Sequence, residues 1–307
     1  MHKSMGASLY VPANHKHLLD IANGDKLPGA RSLIFCTEDA VADRELSWAL
    51  FNLAVVLENM RPEVTADRFV RVRNPDVLAR VLAMKGAHKL TGFVIPKATR
   101  HNLEAYVKLV RGTDHMLMPT LETAEVFSES EMEAFRELLQ SPGIRKRILA
   151  LRIGGNDLLA LLGLRRPRGM TIYRTPLGPT IARLVTIFRP YGFALTAPVF
   201  EHLDLPELLD QEVQEDLAYG MVGKTAIHPT QIAPIEAHYK VKPQDLEAAR
   251  AILDPNSPAV FKMHDSMCEV ATHRAWAERM VAQSHLFGSD PTEAPGWPAA
   301  FIEKENS

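Results

Sequence analysis

The sequence predicts an α/β chain folded as a parallel (β/α)8 barrel with a helical C-terminal appendage. Three observations lead there. Eight short β-rich runs alternate with longer helical stretches over about the first 235 residues, the pattern of a parallel sheet wrapped by helices. No GxGxxG follows the first strand, as it would in an open dinucleotide-binding sheet. Beyond about residue 240 the pattern is helical with no strand between the helices. The expected organisation is a barrel over 1–235, a helical segment over 236–290 and a loose tail rich in Pro, Glu and Ser over 291–307.

The elements follow in order. "SLYV" (8–11) leads into "NHKHLLDIAN", and "RSLIFC" (31–36) into a helix where Leu46, Leu50, Leu53, Val56 and Leu57 recur at helical spacing. "RFVRVR" (68–73) precedes "PDVLARVLAMKGA", with Pro75 suited to a first helical turn. "LTGFVIPK" (90–97) and "HMLMPTLET" (115–123) each precede a helix. "RILALRIGG" (147–155) runs into "NDLLALLG", and a Pro/Arg/Gly-rich insert (165–179) comes before "TIARLVTIFRPYG". "FALTAPVF" (193–200), a helix near 204–219 and "MVGKTAIHP" (221–229) complete the barrel pattern.

Bulk properties exclude several function classes. The 307 residues are 46% hydrophobic and 23% charged, with a formal net charge of -2. That balance provides no electrostatic pull toward nucleic acid or an anionic membrane. No apolar run approaches the roughly 18 residues of a membrane span, and the N-terminus lacks the apolar core of a secretion signal. Cys36 and Cys268, far apart and outside any CxxC pair, read as reduced buried thiols. A cytoplasmic protein is expected.

The C-terminal ends of barrel strands carry chemistry, and here they carry charge. Glu38 and Asp39 follow strand two, Arg71 and Arg73 lie in strand three, and Lys97 ends strand four. Glu122 ends strand five, Asn156 and Asp157 strand six, Lys224 and His228 strand eight. Each has an ordinary structural reading. Asp39, Asp43 or Asp157 would cap a helix, Glu122 would serve a helix dipole, Lys97 would be solvated, and His228 would sit in a turn. Arg71 and Arg73 resist that treatment. Strand periodicity puts both on one face of an apolar run, where burial is costly without anions nearby. Together these residues describe a rim that holds a metal and an anionic substrate. Oxygen ligands without a His or Cys cluster favour Mg²⁺ over zinc.

These motifs resemble, in order from residue 8 to about 285, the HpcH/HpaI aldolase and citrate lyase β-subunit superfamily, which includes malyl-CoA lyases. "IFCTEDAV" resembles its "LDLEDAV", "FVRVRNP" its Arg-x-Asn strand, and "GFVIPK" its "GIVLPK". "PTLETAEV" is similar to its "IET" motif, "LRIGGNDLLALLG" to "GxxD", "GKTAIHPTQIAPI" to "GKxAIHPxQI", and "FKMHDSMCEVATHRAWAERM" to its lid segment. The resemblance implies a TIM barrel with a C-terminal helical lid and Mg²⁺-dependent cleavage or formation of a carbon–carbon bond. It implies Glu122 and Asp157 as Mg²⁺ ligands, Arg71 on a carboxylate or enolate oxygen, and Glu38 and Asp39 on metal-bound waters and the arginine. Lys97, with Gly155 and Asn156, would shape the substrate pocket, and Asp265 matches a lid aspartate that in some members reaches a neighbouring subunit's site. Arg73 stands where the family has Asn. It is expected either to hold an additional anionic group of the substrate or to pair with Glu38 or Asp39.

The function expected is a carbon–carbon lyase acting on a small acid, with a CoA or acyl-carrier thioester as a further partner. The alternatives are a thioester hydrolase or condensing enzyme on the same scaffold, and a ligand-binding subunit without turnover. Leu246, Ala249, Ile252, Leu253, Val270, Ala271 and Trp276 make the C-terminal helices apolar enough to pack on a neighbouring barrel, and the resemblance implies a trimer or a pair of trimers. Light scattering at micromolar concentration should give three or six times the 34.2 kDa chain mass; a monomer mass would refute this.

Overall fold

Eight strands run parallel in the order β7-β6-β5-β4-β3-β2-β1-β8, and an Ala197–Lys224 bridge brings the two ends of that row together. The computed structural model describes residues 4–289; the tail expected at 291–307 lies outside them. The first half runs β1 (Gly6–Pro12), α1 (Leu18–Ala22), β2 (Ser32–Cys36), α2 (Leu46–Asn59), β3 (Asp67–Arg71), α3 (Pro75–Leu82), β4 (Gly92–Ile95) and α4 (Leu103–Leu109). Next come β5 (Met116–Leu121), α5 (Glu129–Gln140), α6 (Pro142–Arg145), β6 (Leu151–Ile153) and α7 (Gly155–Leu161). The barrel ends with α8 (Leu177–Phe188), β7 (Leu195–Thr196), α9 (Pro206–Ala218), β8 (Gly223–Ala226) and α10 (Ile232–Ala237). Local chemistry accounts for several boundaries. Asn74 caps α3 by accepting from the Val77 N–H, with Pro75 in the first turn, and Ser128 caps α5 through the Glu131 N–H.

The barrel interior is layered. Met5, Ile34, Phe69, Val94, Met118, Ala150, Ala194 and Val222 pack as one apolar plug, with one residue in or beside each strand. Side chains two residues further along a strand face the same way. Cys36, Arg71, Thr120, Arg152 and Thr196 therefore form the next layer, and Glu122 and Gly154 the one above. The register agrees, since Thr120 pairs with Arg152 and Arg152 with Thr196.

Lys224 faces the other way. Its Nζ donates to Glu212 Oε1 at 2.8 Å and Asp216 Oδ2 at 2.9 Å, both on α9, and all three side chains are fully buried. Arg166 pairs with the other Glu212 oxygen, which also accepts from the Ile172 N–H at 2.8 Å. The Tyr173 hydroxyl donates to Asp216 at 2.6 Å. The 165–179 insert is thus pinned to α9. Burial works against the Lys224 charge, but Asp216 and Glu212 outweigh it and raise its pKa. His228 is likewise structural: it caps the turn at Pro229 in a reciprocal box with Gln231.

The described chain divides into two compact units, one ending at His238 and the other beginning at Tyr239. In the second, α11 (Pro243–Leu253) and α12 (Val270–Phe287) flank a hairpin of β9 (Val260–Met263) and β10 (Ser266–Glu269). The hairpin corrects the purely helical expectation. His264 and Asp265 both adopt positive φ, 46° and 59°, and a two-residue turn of that kind matches the twist of paired strands. The apolar residues expected to seek a neighbour are partly used here: Ala249, Ile252, Cys268 and Ala277 form a core, with Leu253 and Trp276 packed on it. Both cysteines are free and buried. Among the described residues no helix is long and apolar enough to cross a membrane.

Removing the cation from the buried cluster leaves two carboxylates short of partners. Lys224→Met is expected to cost about 3–5 kcal/mol, read as a lowered urea midpoint with an unchanged slope. A loss below about 1 kcal/mol would show that the cluster contributes little.

Candidate active site

The β2 strand is buried along its whole length and ends at Cys36. The next residues turn at once into the mouth: Thr37 donates its hydroxyl to Arg71 O at 2.8 Å, and Val41 N–H closes the turn on Glu38 O at 2.9 Å. This places Glu38, buried, and Asp39, with 56% of its side chain exposed, beside the end of β3. Arg71 lies there among three carboxylates. Its Nη2 is 3.0 Å from both Glu38 Oε2 and Glu122 Oε1, and its Nη1 is 3.2 Å from Asp39 Oδ2. Burial opposes the Arg71 charge, yet Tyr10, Glu122 and Glu38 raise its pKa further. The guanidinium is permanently charged.

Lys97 follows β4 in the left-handed region, φ 48°. That turn points its N–H at Glu122 Oε1, 2.8 Å, and its Nζ at Glu38 Oε1, 2.9 Å. Lys97 therefore holds the acids in place and does not line the cleft. Burial alone would raise Glu38; the hydrogen bond with Asp39 and the Arg71 and Lys97 cations outweigh it and bring it below its ordinary value. Asp39 moves the opposite way. Burial and the hydrogen bond shared with Glu38 push it up to about 6. One carboxylate of the pair stays ionised while the other is poised near neutral pH.

Glu122 faces Gly154 across the mouth. A Cβ at Gly154 would lie 2.4 Å from both Glu122 Cβ and Oε2, so only glycine admits the carboxylate there. Gly155 is equally constrained, by Ile172 and Pro198, and it opens α7, whose first turn carries Asp157. Glu122, Asp157 and Asn156 line one cleft of about 360 Å³ with Tyr10, Cys36, Asp39, Arg71, Thr120, Arg152 and Thr225. Asn156 donates to Glu201 at 2.9 Å. The capping readings of Asp39, Asp43 and Asp157 do not hold, because none caps its helix by side chain. Burial pushes the Glu122 carboxyl up; Arg71 opposes that, and Asp157 adds repulsion.

That pair fits a hard divalent cation. Both hydrogen bonds of Glu122 fall on Oε1, leaving Oε2 for a ligand, and a cation between the two acids would relieve their repulsion. Among the described residues no group of three or more His, Cys, Asp or Glu converges as a metal site, so these two carboxylates would leave most of the ion's positions to water or substrate. A separate groove of about 430 Å³, lined by Lys108, Arg111, Lys146 and Arg147, lies at the opposite ends of the strands.

One expected residue, Arg73, does not line the cleft. The β3 ladder ends at Arg71, so the alternation that would have aimed Arg73 into the cleft stops short of it. Arg73 instead donates to the carbonyls of Thr37 (3.3 Å), Glu38 (3.3 Å) and Val41 (2.6 Å) and pairs with Asp43. It clamps the acid loop, and its ion-pair partner is Asp43, not Glu38 or Asp39. Asp265 occupies the hairpin turn of the second unit, exposed, with Lys262 Nζ at 2.8 Å. The residue that sequence reasoning passed over is Arg152, buried in the cleft floor. An arginine inside "LALRIGG" was signal enough, by the argument applied to Arg71.

Comparison with known proteins adds relatives. A (3S)-malyl-CoA thioesterase of Cereibacter sphaeroides is 30% identical over 251 residues, 78% of this chain and 79% of that protein. The fold resembles CitE of Mycobacterium tuberculosis in complex with magnesium, acetoacetate and coenzyme A, with TM-score 0.66 and 21% identity over 92% of this chain and 98% of that one. It also resembles Haloferax volcanii malate synthase as a lead(II) complex, TM-score 0.63 and 16% identity over 75% and 71% of the two chains. A family model described as C-C_Bond_Lyase of the TIM-Barrel fold matches residues 1–289, and this chain belongs to that carbon–carbon bond lyase family.

Proposed function

We propose that the protein is a Mg²⁺-dependent enzyme that cleaves or forms the bond between an oxo acid and the enolate of a carboxylic acid or its thioester. One observation carries the reading: a permanently charged Arg71 caged by three carboxylates, with Glu122 and Asp157 paired across the same cleft. The Mg²⁺ held by Glu122 and Asp157 would supply Lewis-acid polarisation of the oxo-acid half. The magnesium in the M. tuberculosis complex supports that choice of metal.

The chain's own residues account for the remaining chemistry. In the cleavage direction Asp39 takes the substrate hydroxyl proton, the C–O bond becomes C=O, and the carbon–carbon bond breaks. Its electron pair passes to the departing half as an enolate. The Arg71 guanidinium, which lines the cleft, is the fixed positive charge for that oxyanion. Glu38, kept ionised, holds Arg71 and Lys97 in position. Arg73 fixes the turn that presents Asp39.

The thioesterase relative favours a second reading on the same groups. There Asp39 would take a proton from water as it attacks a thioester carbonyl, and the thiolate would leave. Incubation with Mg²⁺ and (3S)-malyl-CoA separates the two. Glyoxylate without free thiol marks the lyase, and free thiol with malate marks the hydrolase. Neither product would overturn both readings.

Two further outcomes are expected. Millimolar Mg²⁺ with a 2-oxo acid should raise the melting temperature by mass action, and Glu122→Gln and Asp157→Asn should each abolish the rise in a folded protein. An unchanged rise in both variants would remove them as ligands. The base must be unprotonated to act, so turnover should fall as pH drops through about 6, where Asp39 gains its proton. Asp39→Asn should lower kcat by roughly 10²–10⁴-fold; a variant with parent-like kcat would exclude Asp39 as the base.

A further inference from the structure

The end of the barrel away from the cleft also gathers charge. The turns that lead into β5 and β6 lie side by side there, because those strands are neighbours, and a groove of about 430 Å³ lies between them. Lys108 and Arg111 line it from the end of α4 and the turn after it, and Lys146 and Arg147 from the turn after α6. Four cations thus share one concavity with a single carboxylate, Glu104, in a chain whose formal net charge is -2.

Little in the fold neutralises these cations. Glu104 lies 4.0 Å from Lys108, with both side chains more than half exposed, a contact worth little in water. Arg147 donates to the His115 carbonyl at 3.4 Å. Arg111 and Lys146, both exposed, have no ion pair or side-chain hydrogen bond among the described residues. Neighbouring arginines differ. Arg145 lies 4.2 Å from the Phe193 ring centroid and donates to Gly192 O at 2.6 Å, and Arg136 lies 4.0 Å from the Tyr191 ring centroid. Those two are committed to packing, whereas the groove cations keep most of their donors free.

Like charges around a concavity repel, and its low-dielectric walls focus their field on an anion that enters. One carboxylate would leave most of that charge unmet, whereas a diphosphate presents several negative oxygens to the guanidinium and ammonium donors. We propose that this groove binds a diphosphate group, free or as the end of a nucleotide. Its volume suits a small molecule, and buried Val107 and Ile144 provide an apolar floor for the uncharged part of a nucleotide. Chemistry in such barrels belongs to the other end, so the ligand is held here and not transformed. Binding requires neither Mg²⁺ nor the acid at the mouth.

The probes are inorganic diphosphate and ADP, each titrated calorimetrically into the full chain at low ionic strength. EDTA is present so that no Mg²⁺ draws phosphate to the mouth. Saturable binding of one equivalent is expected, falling steeply as salt is added. Arg111→Gln and Lys146→Gln should each weaken it roughly tenfold, the scale of one charge-assisted contact. Both residues are exposed, so the variants should melt as the parent does. Lys262→Gln, which removes the same charge from the hairpin of the second unit, should leave the affinity unchanged. Tighter binding of ADP than of diphosphate would assign a nucleotide, and equal or weaker binding the free ion; either supports the site. No saturable binding of either probe, parent-like affinity in both groove variants, or an equal loss in Lys262→Gln would overturn it.

Discussion

The Arg71 guanidinium at the end of the buried β3 strand is surrounded by anions, and this compensation of a buried charge organises the barrel mouth. Two strand ends send three carboxylates to it: Glu38 and Asp39 from β2 and Glu122 from β5. Each must then be held against its neighbours. Lys97 adopts a left-handed backbone to bond Glu38 and Glu122 together, and Arg73 ties down three carbonyls of the acid loop. Gly154 gives up its side chain so that Glu122 can cross. One buried charge thus dictates residue choice on β2 through β6. Burial and the hydrogen bond shared with Glu38 push Asp39 up to about 6, while that bond and the Arg71 and Lys97 cations keep Glu38 low.

Layering inside the barrel converts this into a site with direction. The apolar plug closes the N-terminal half; above it come a polar floor, the acid cage and the open loops. A second buried charge cluster, Lys224 with Glu212, Asp216 and Arg166, faces the helices. Buried ion clusters of this kind add little net stability over an apolar alternative. What this one provides is position, because the insert at 165–179 can lie only where Glu212 and Asp216 receive its donors.

In the proposed roles the same groups would serve more than one reaction. A base of moderate pKa, a fixed cation and a pair of carboxylates suited to a metal would accept a proton from an alcohol or from water, and would stabilise an oxyanion in either case. Fold and family therefore define a chemistry of oxyanions and leave the bond that breaks to the fit of the substrate. The M. tuberculosis and H. volcanii relatives share the barrel, and the C. sphaeroides relative shares 30% of aligned residues under a thioesterase name.

Sequence by itself determined the barrel and most of the rim. Strand and helix periodicities differ enough to be read directly, and Glu38, Asp39, Arg71, Glu122 and Asp157 follow from a rule that needs only the strand ends. Arg73 was decided by tertiary structure, because alternation holds only while the ladder continues and β3 stops two residues before it. Lys97 bonds Glu38 and Glu122 through a single positive φ, which composition does not reveal. The hairpin over 260–269 hides in a helix-like stretch because its signal is the conformation of His264 and Asp265, not their type. Arg152 shows the deeper reason. Its sequence says only that an arginine is buried; whether that charge already has a partner depends on which strands lie beside β6, and only the closed barrel answers that.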